Sequence, residues 1–265
     1  MLPNFLVIGT YRAGTTWLYE VLRQHPEVFL PAEKELMFFS HHYTRGIAWY
    51  EQFYSDCMGQ KRVGEICPTY LASEEAPERI ARHCPMARLV AILRKPSEQV
   101  MSRYRLKLTR GLTSRSFDEE MAQDAYLLDA VLYHRHLMRY LALFGPDRLS
   151  VLFYDDLVRD PLAFLKDFYR VLDLAPFYPP AAQLRQNASR VPRSLTVESL
   201  SSGLARFLRR NGLLNVKIFL NRLGLADHIK RLNTQPSYAN IVPAVVLRRV
   251  AELTADDRKS LGLWT

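Results

Sequence analysis

Short apolar runs alternate with longer amphipathic stretches through the first two thirds of the chain. Phe5–Ile8, Val28–Leu30, Val63–Ile66, Leu89–Leu93 and Leu149–Phe153 are mostly apolar and bounded by turn formers, the pattern of strands covered on both faces. Between them the apolar residues recur at helical spacing. This predicts helices over Thr15–Gln24, Gly46–Tyr54, Glu75–His83, Ser97–Thr109, Leu127–Phe144 and Pro161–Leu172. The pairs His25-Pro26, Cys84-Pro85 and Gly145-Pro146 mark stops, since proline disfavours helical geometry in the residue before it. Alternation of this kind predicts an α/β fold, a parallel sheet flanked by helices. From the Pro-rich Ala175–Pro180 onward the alternation ends. Residues 175–265 read as a mainly helical extension of the same domain, whose α/β core is 1–174, and no internal repeat is visible.

The first strand runs into Gly9-Thr-Tyr-Arg-Ala-Gly14 and then into the first helix. Two glycines bracketing four residues are the geometry of a P-loop, in which backbone N–H groups converge on phosphate oxygens at a helix N-terminus. A triphosphate-binding loop carries Lys directly after the second Gly. Here that position is Thr15, and the cation, Arg12, lies inside the loop two residues before Gly14. A P-loop kinase or NTPase remains an alternative, with Val151-Leu-Phe-Tyr-Asp155 as its second motif and Asp155 as a Mg²⁺ ligand.

This variant loop resembles the 5′-phosphosulfate loop of sulfotransferases that use 3′-phosphoadenosine 5′-phosphosulfate (PAPS), where Lys or Arg precedes Gly-Thr-Thr. A second segment, Arg88-Leu-Val-Ala-Ile-Leu-Arg94 followed by Ser102 on the next helix, is similar to that family's 3′-phosphate signature. Between them, Pro31-Ala-Glu-Lys-Glu35-Leu-Met-Phe-Phe39 and His42–Tyr50 resemble the acceptor-side segment of heparan-sulfate-type and related bacterial sulfotransferases. The resemblance is good over about residues 5–172 and loose beyond.

It implies PAPS as donor, 3′,5′-adenosine bisphosphate (PAP) as product and no metal. Tyr11, Arg12, Ala13, Gly14, Thr15 and Thr16 would cradle the 5′ end, and Arg94 and Ser102 the 3′-phosphate. Arg190 and Arg193 would lie in a loop closing over the nucleotide. Sulfuryl transfer needs the leaving phosphate neutralised and the acceptor deprotonated. Arg12 is the candidate for the first task and Glu35 for the second. Glu35, His41 and Tyr70 are the expected acceptor contacts, with His41 and His42 as rival bases. Tyr70 closes Glu65-Ile-Cys-Pro-Thr-Tyr70, similar to a Glu-x-x-Pro-x-Tyr segment that lines the family's acceptor cleft. Ile66 stands where glycan-sulfating relatives often carry Lys, which weighs against a heparan-like substrate. The expected acceptor is a hydroxyl, with an amine second, of a small metabolite, glycolipid or carbohydrate.

Composition adds limits. With 48% hydrophobic and 24% charged residues, the 265-residue chain can bury one substantial core. Its net charge of +9 is local, since Arg185–Leu232 holds ten Lys/Arg against two acids. That span suits a solvated basic face, an anionic acceptor or a peripheral membrane contact, and a non-catalytic basic anion- or lipid-binding module is a further alternative. No nucleic-acid partner is expected, because no recognition motif accompanies the charge. Cys57, Cys67 and Cys84 are odd in number and lack metal-ligand spacing, which suits reduced thiols. There is no run of about 18 uncharged apolar residues, and the first strand begins at Phe5. The expected location is cytoplasmic, unless the chain is trimmed from a membrane-anchored enzyme.

Overall fold

The computed structural model of the chain describes residues 1–183, 190–192, 234–236 and 244–262. Strands β1 (Phe5–Gly9), β2 (Val28–Phe29), β3 (Arg62–Ile66), β4 (Arg88–Leu93) and β5 (Leu149–Phe153) form one sheet in the order β2-β3-β1-β4-β5. Every neighbouring pair is parallel. β1 is apolar along its length and β4 is so after Arg88, because both faces are covered. Leu6, Ile8, Leu89, Ala91 and Leu93 pack to one side, whereas Phe5, Val7, Val90 and Ile92 pack to the other.

Helices α1 (Thr15–Leu22), α8 (Tyr154–Arg159) and α9 (Pro161–Val171) cover the second of these faces, burying Trp17, Leu18, Leu157, Phe164 and Phe168. Over the first lie α2 (Ile47–Glu51), α3 (Ala76–His83), α4 (Pro96–Thr109), α5 (Phe117–Gln123), α6 (Tyr126–Asp129), α7 (Tyr133–Phe144) and α10 (Ala244–Leu253), through residues such as Tyr50, Ile80, Val100, Met121, Leu127, Tyr140 and Val250. Each fully buried large side chain contributes roughly 1.5–3 kcal/mol, so burial outweighs the few tenths of propensity at any one position.

Several elements depart from the sequence pattern. The helix expected over Leu127–Phe144 is two helices, α6 and α7, broken at residues 130–132. Long-range bonds favour the break. The Tyr133 hydroxyl donates to the Arg94 carbonyl at 2.9 Å. The Asp257 carboxylate, on α11 (Ala255–Leu261), accepts the backbone N–H groups of His134 and Arg135, each at 3.0 Å. These are orphan donors of a new helix start, which would not exist in a continuous helix. Two helices were not anticipated. One is α5, opened by a capping box between Ser116 and Glu119, and the other is α8, which follows β5 without a loop. The Gly46–Tyr54 helix is α2 flanked by single 3₁₀ turns, Tyr43–Arg45 and Gln52–Tyr54.

In the extension, β6 (Arg190–Pro192) pairs antiparallel with β7 (Thr234–Pro236), a ribbon the helical expectation did not include. Apart from the backbone of these strands, the basic span over 185–232 lies outside the described residues. Among the described residues no helix is long and apolar enough to cross a membrane.

Candidate functional site

The carboxyl end of β1 lies where the sheet reverses direction of growth, with β3 on one side and β4 on the other. In open parallel sheets that crevice is where ligands bind. The loop from Gly9 to Gly14 opens into it, anchored by the bond from Thr10 N–H to Ile92 O at 2.9 Å. Gly14 has φ +79°, a conformation that favours glycine, and a Cβ there would stand 2.4 Å from Leu157 Cδ2 and push that side chain aside. No side chain caps the start of α1 and no acid stands in its first turn. Its N–H groups therefore face the mouth of the loop. Ala13 and Thr15 are buried within this turn and Thr16 is exposed.

Arg12, with φ +64°, turns out of the loop, and its Nε donates to Ser102 Oγ on α4 at 2.9 Å. Arg94, just past β4, donates from Nη1 to the Arg12 carbonyl at 3.0 Å. Its Nε and Nη2 donate to Glu98 Oε2 at 3.2 and 3.1 Å, and the guanidinium lies over the Tyr154 ring at 4.6 Å. Arg12, Arg94 and Ser102, 90 residues apart at the extremes, thus form one cluster. Burial, then the nearby charges of Arg94 and Arg110, hold the Arg12 guanidinium below its ordinary pKa. Burial and Arg94 do the same to Arg105. Like charges gathered this closely repel, and an anion relieves the repulsion. Tyr11 is half-buried with Arg103 5.1 Å from its ring centroid, and burial and Tyr126 push its hydroxyl well above the usual value.

The acceptor-side segment is brought to the same mouth. Tyr19 on α1 donates its hydroxyl to the carbonyls of Pro31 and Ala32 at 2.7 and 3.0 Å. The next turn carries Lys34, whose Nζ donates to Thr16 Oγ1 at 3.4 Å and to Glu35 Oε1 at 2.5 Å. Glu35 is therefore held beside the first turn of α1. Glu35 and Met37 both have left-handed backbones, φ +62° and +53°, a conformation costing roughly 1–2 kcal/mol for each L-residue. A single π turn, Phe38–His42, follows, with Phe38 stacked on Tyr50 at 4.6 Å between centroids. His41 is exposed, its Nδ1 2.8 Å from Ser40 Oγ.

Behind this segment lies Glu65, 2% exposed. Its Oε1 accepts Leu36 N–H at 2.9 Å, and its Oε2 accepts the hydroxyls of Tyr50 at 2.6 Å and Tyr70 at 2.9 Å. Burial pushes its carboxyl up to about 7, against the pull of these bonds. Tyr70, expected as an acceptor contact, is fully buried with its hydroxyl directed at Glu65, so it stands within the wall of the cleft. Arg190 is described only in its backbone, as part of β6, and Arg193 lies outside the described residues.

The sequence assigns no role to Lys34, and it places Glu65 only as the first residue of the segment expected to line the acceptor cleft. Lys34 sits in a Glu-Lys-Glu run that reads as a solvated turn, and only its contact with Thr16 distinguishes it. The position of Glu65 between Val63 and Ile66, in a strand that is buried after Arg62, marks it as a carboxylate in need of partners. The kinase alternative finds little support here. Asp155 starts α8 beyond the edge strand β5, two strands from β1, and pairs with Lys95 at 3.2 Å.

Residues 2–204 match the family model described as "Sulfotransferase domain". The chain belongs to the sulfotransferase family. Among curated sulfotransferases, the membrane-associated sulfotransferase kil1 of Dictyostelium discoideum is 36% identical over 110 residues, which is 40% of this chain and 23% of that protein. Heparan sulfate glucosamine 3-O-sulfotransferase 5 of Mus musculus is 30% identical over 190 residues, 66% of this chain and 54% of that one. The matches span about a quarter to a half of these relatives' lengths. A crystal structure of a sulfotransferase from Alicyclobacillus acidocaldarius superposes with a TM-score of 0.65 at 25% identity, covering 81% of this chain and 96% of the other. The sulfotransferase fold thus accounts for the parallel sheet, the loop after β1 and the flanking helices.

Proposed function

We propose that this protein transfers the sulfuryl group of PAPS to a hydroxyl of a carbohydrate or small metabolite. The observation that carries the reading is the gathering of Arg12, Arg94 and Ser102 at the mouth of the β1 loop, with the Glu35 carboxylate tied through Lys34 to the same helix start. One side of the mouth is cationic and suits an anionic donor. The other offers a carboxylate and suits an acceptor that must lose a proton.

In this mechanism the loop N–H groups and the hydroxyls of Thr15 and Thr16 hold the 5′-phosphosulfate, while Arg94 and Ser102 hold the 3′-phosphate. The acceptor hydroxyl attacks sulfur in line, its proton passes to Glu35, and the bond from sulfur to the bridging oxygen breaks. PAP departs with new negative charge on its phosphate, which Arg12 stabilises. Arg12 remains charged throughout, so its part is electrostatic and not proton transfer. The carbohydrate preference draws on the mouse relative, a heparan sulfate glucosamine 3-O-sulfotransferase. Ile66 argues against carrying over heparan sulfate itself.

Calorimetric titration with PAP, 5′-AMP and ATP in the absence of magnesium tests the donor site. Strong preference for PAP is expected, since only PAP places a phosphate at Arg94 and Ser102. Equal affinities would overturn the assignment of the 3′-phosphate site. The basic span over 185–232 and a membrane contact through it stay part of this proposal, tested by vesicle co-sedimentation on charge reversal at Arg206, Arg209 and Arg210.

A further inference from the structure

We infer that Glu65 is a positioning residue for Glu35: by gripping the Leu36 N–H it fixes the strained turn on which the candidate base stands. This rests on the assignment of Glu35 as base and adds a second carboxylate that never touches the acceptor.

The geometry of the turn carries the inference. Glu35 and Met37 are both left-handed, and Leu36 lies between them with its side chain buried. Two such residues in three are unfavourable unless the surroundings over-determine them. Three kinds of contact do so. Tyr19 holds the carbonyls of Pro31 and Ala32 on the way in, and the carbonyl of Met37 accepts from His41 and His42 on the way out. In the middle the hydrogen-bond handle is the Leu36 N–H, and its partner is Glu65 Oε1. A carboxylate grips a backbone N–H more strongly than a neutral acceptor does.

Glu65 is itself locked. Oε2 takes two tyrosine hydroxyls, and Tyr54 donates to Tyr50 behind them at 2.8 Å. In the bonds from the Leu36 N–H and the Tyr50 and Tyr70 hydroxyls Glu65 is the acceptor each time, so its ionised form, which predominates above about pH 7, completes the set. The titratable groups facing Glu65 are Tyr50 and Tyr54 from the α2 region, Cys67 and Tyr70 beyond β3, and Cys84 at the end of α3. Burial raises all five, which keeps them neutral around Glu65.

Hydrogen exchange and a double-mutant cycle test this without an identified acceptor. The Leu36 amide is expected to be protected in the wild type and to lose protection in Glu65→Leu. Turnover is read as hydrolysis of labelled PAPS to PAP and sulfate, with water as acceptor. Glu65→Gln should slow it by about 10-fold, the size of one lost charge-assisted bond, with PAP affinity changed less than about 2-fold. Placed on Glu35→Gln, the same substitution should slow hydrolysis no further. Tyr50→Phe is the milder variant if Glu65→Gln folds poorly, and should act in the same direction by a smaller factor. Equal slowing in both backgrounds, PAP affinity falling in step with turnover, or an unprotected Leu36 amide in the wild type would each overturn the inference. Unchanged hydrolysis in Glu35→Gln alone would instead remove Glu35 as base, while the Leu36 exchange still reports whether Glu65 holds the turn.

Discussion

Single residues divide the candidate site into a donor half and an acceptor half that fail differently. Arg12→Ala should lower turnover by roughly 10²-fold or more, the usual loss of one group aimed at developing charge, in a PAPS turnover assay. Arg94→Ala should act first on PAP binding, weakening it about 10-fold or more through lost charge-assisted bonds, as calorimetry can measure. Glu35→Gln should lower turnover by roughly 10²-fold with PAP affinity nearly unchanged. Glu65 makes a separate prediction about stability. Its carboxyl is raised from 4.5 to about 7 in the fold, so the folded state holds a proton that the unfolded chain releases. That stabilisation is complete below about pH 4.5 and is lost as pH rises through about 7. Thermal unfolding of Glu65→Gln against the wild type across this range should show a flatter pH dependence in the variant. Arg12, Arg94, Ser102 and Glu35 were readable in the sequence because each sits at a fixed offset in a recognisable segment. Lys34 was not, because its significance lies in a partner 18 residues away, and although the Glu65 segment was legible, the contact of its carboxylate lies 29 residues away in the chain.

At the level of elements, the strands and most helices follow from hydrophobic period, and the misses have one cause. The break between α6 and α7 is imposed from outside the helix, by Asp257 on its new N-terminus and by Arg94 on the Tyr133 hydroxyl. The same contacts tie the C-terminal helix to the end of β4. Removing a carboxylate that caps a helix costs typically about 1 kcal/mol. Asp257→Ala should therefore lower the melting temperature and, through Tyr133, weaken PAP binding more than 5′-AMP binding. By contrast α5 carries its own signal, the Ser116-Phe-Asp-Glu119 capping box, at the edge of a charged stretch that hides its short apolar face. The acceptor segment shows the opposite limit: its left-handed Glu35 and Met37 oppose local preference, so no pattern of residues could have announced them.

For the whole molecule, the order β2-β3-β1-β4-β5 explains why one crevice gathers everything. The loop follows the central strand, Arg94 follows its neighbour on one side, and Glu65 stands on its neighbour on the other. A ligand that bridges these elements should stabilise the fold as a unit. PAP at 100 times its dissociation constant should contribute about 2.7 kcal/mol, read as a thermal shift larger than that given by 5′-AMP at the same concentration. The sequence by itself determined the α/β class and the loop, because period and spacing are local quantities set by backbone geometry, and its resemblance to a family nominated Arg94 and Ser102 for the 3′-phosphate and Glu35 as the candidate base. Tertiary structure alone decided that Arg12 meets Ser102, that Lys34 joins Glu35 to α1, that Tyr70 points into the wall, and that Glu65 holds the turn. Those are contacts between segments distant in sequence, formed only when burial of two apolar faces brings the strand ends together.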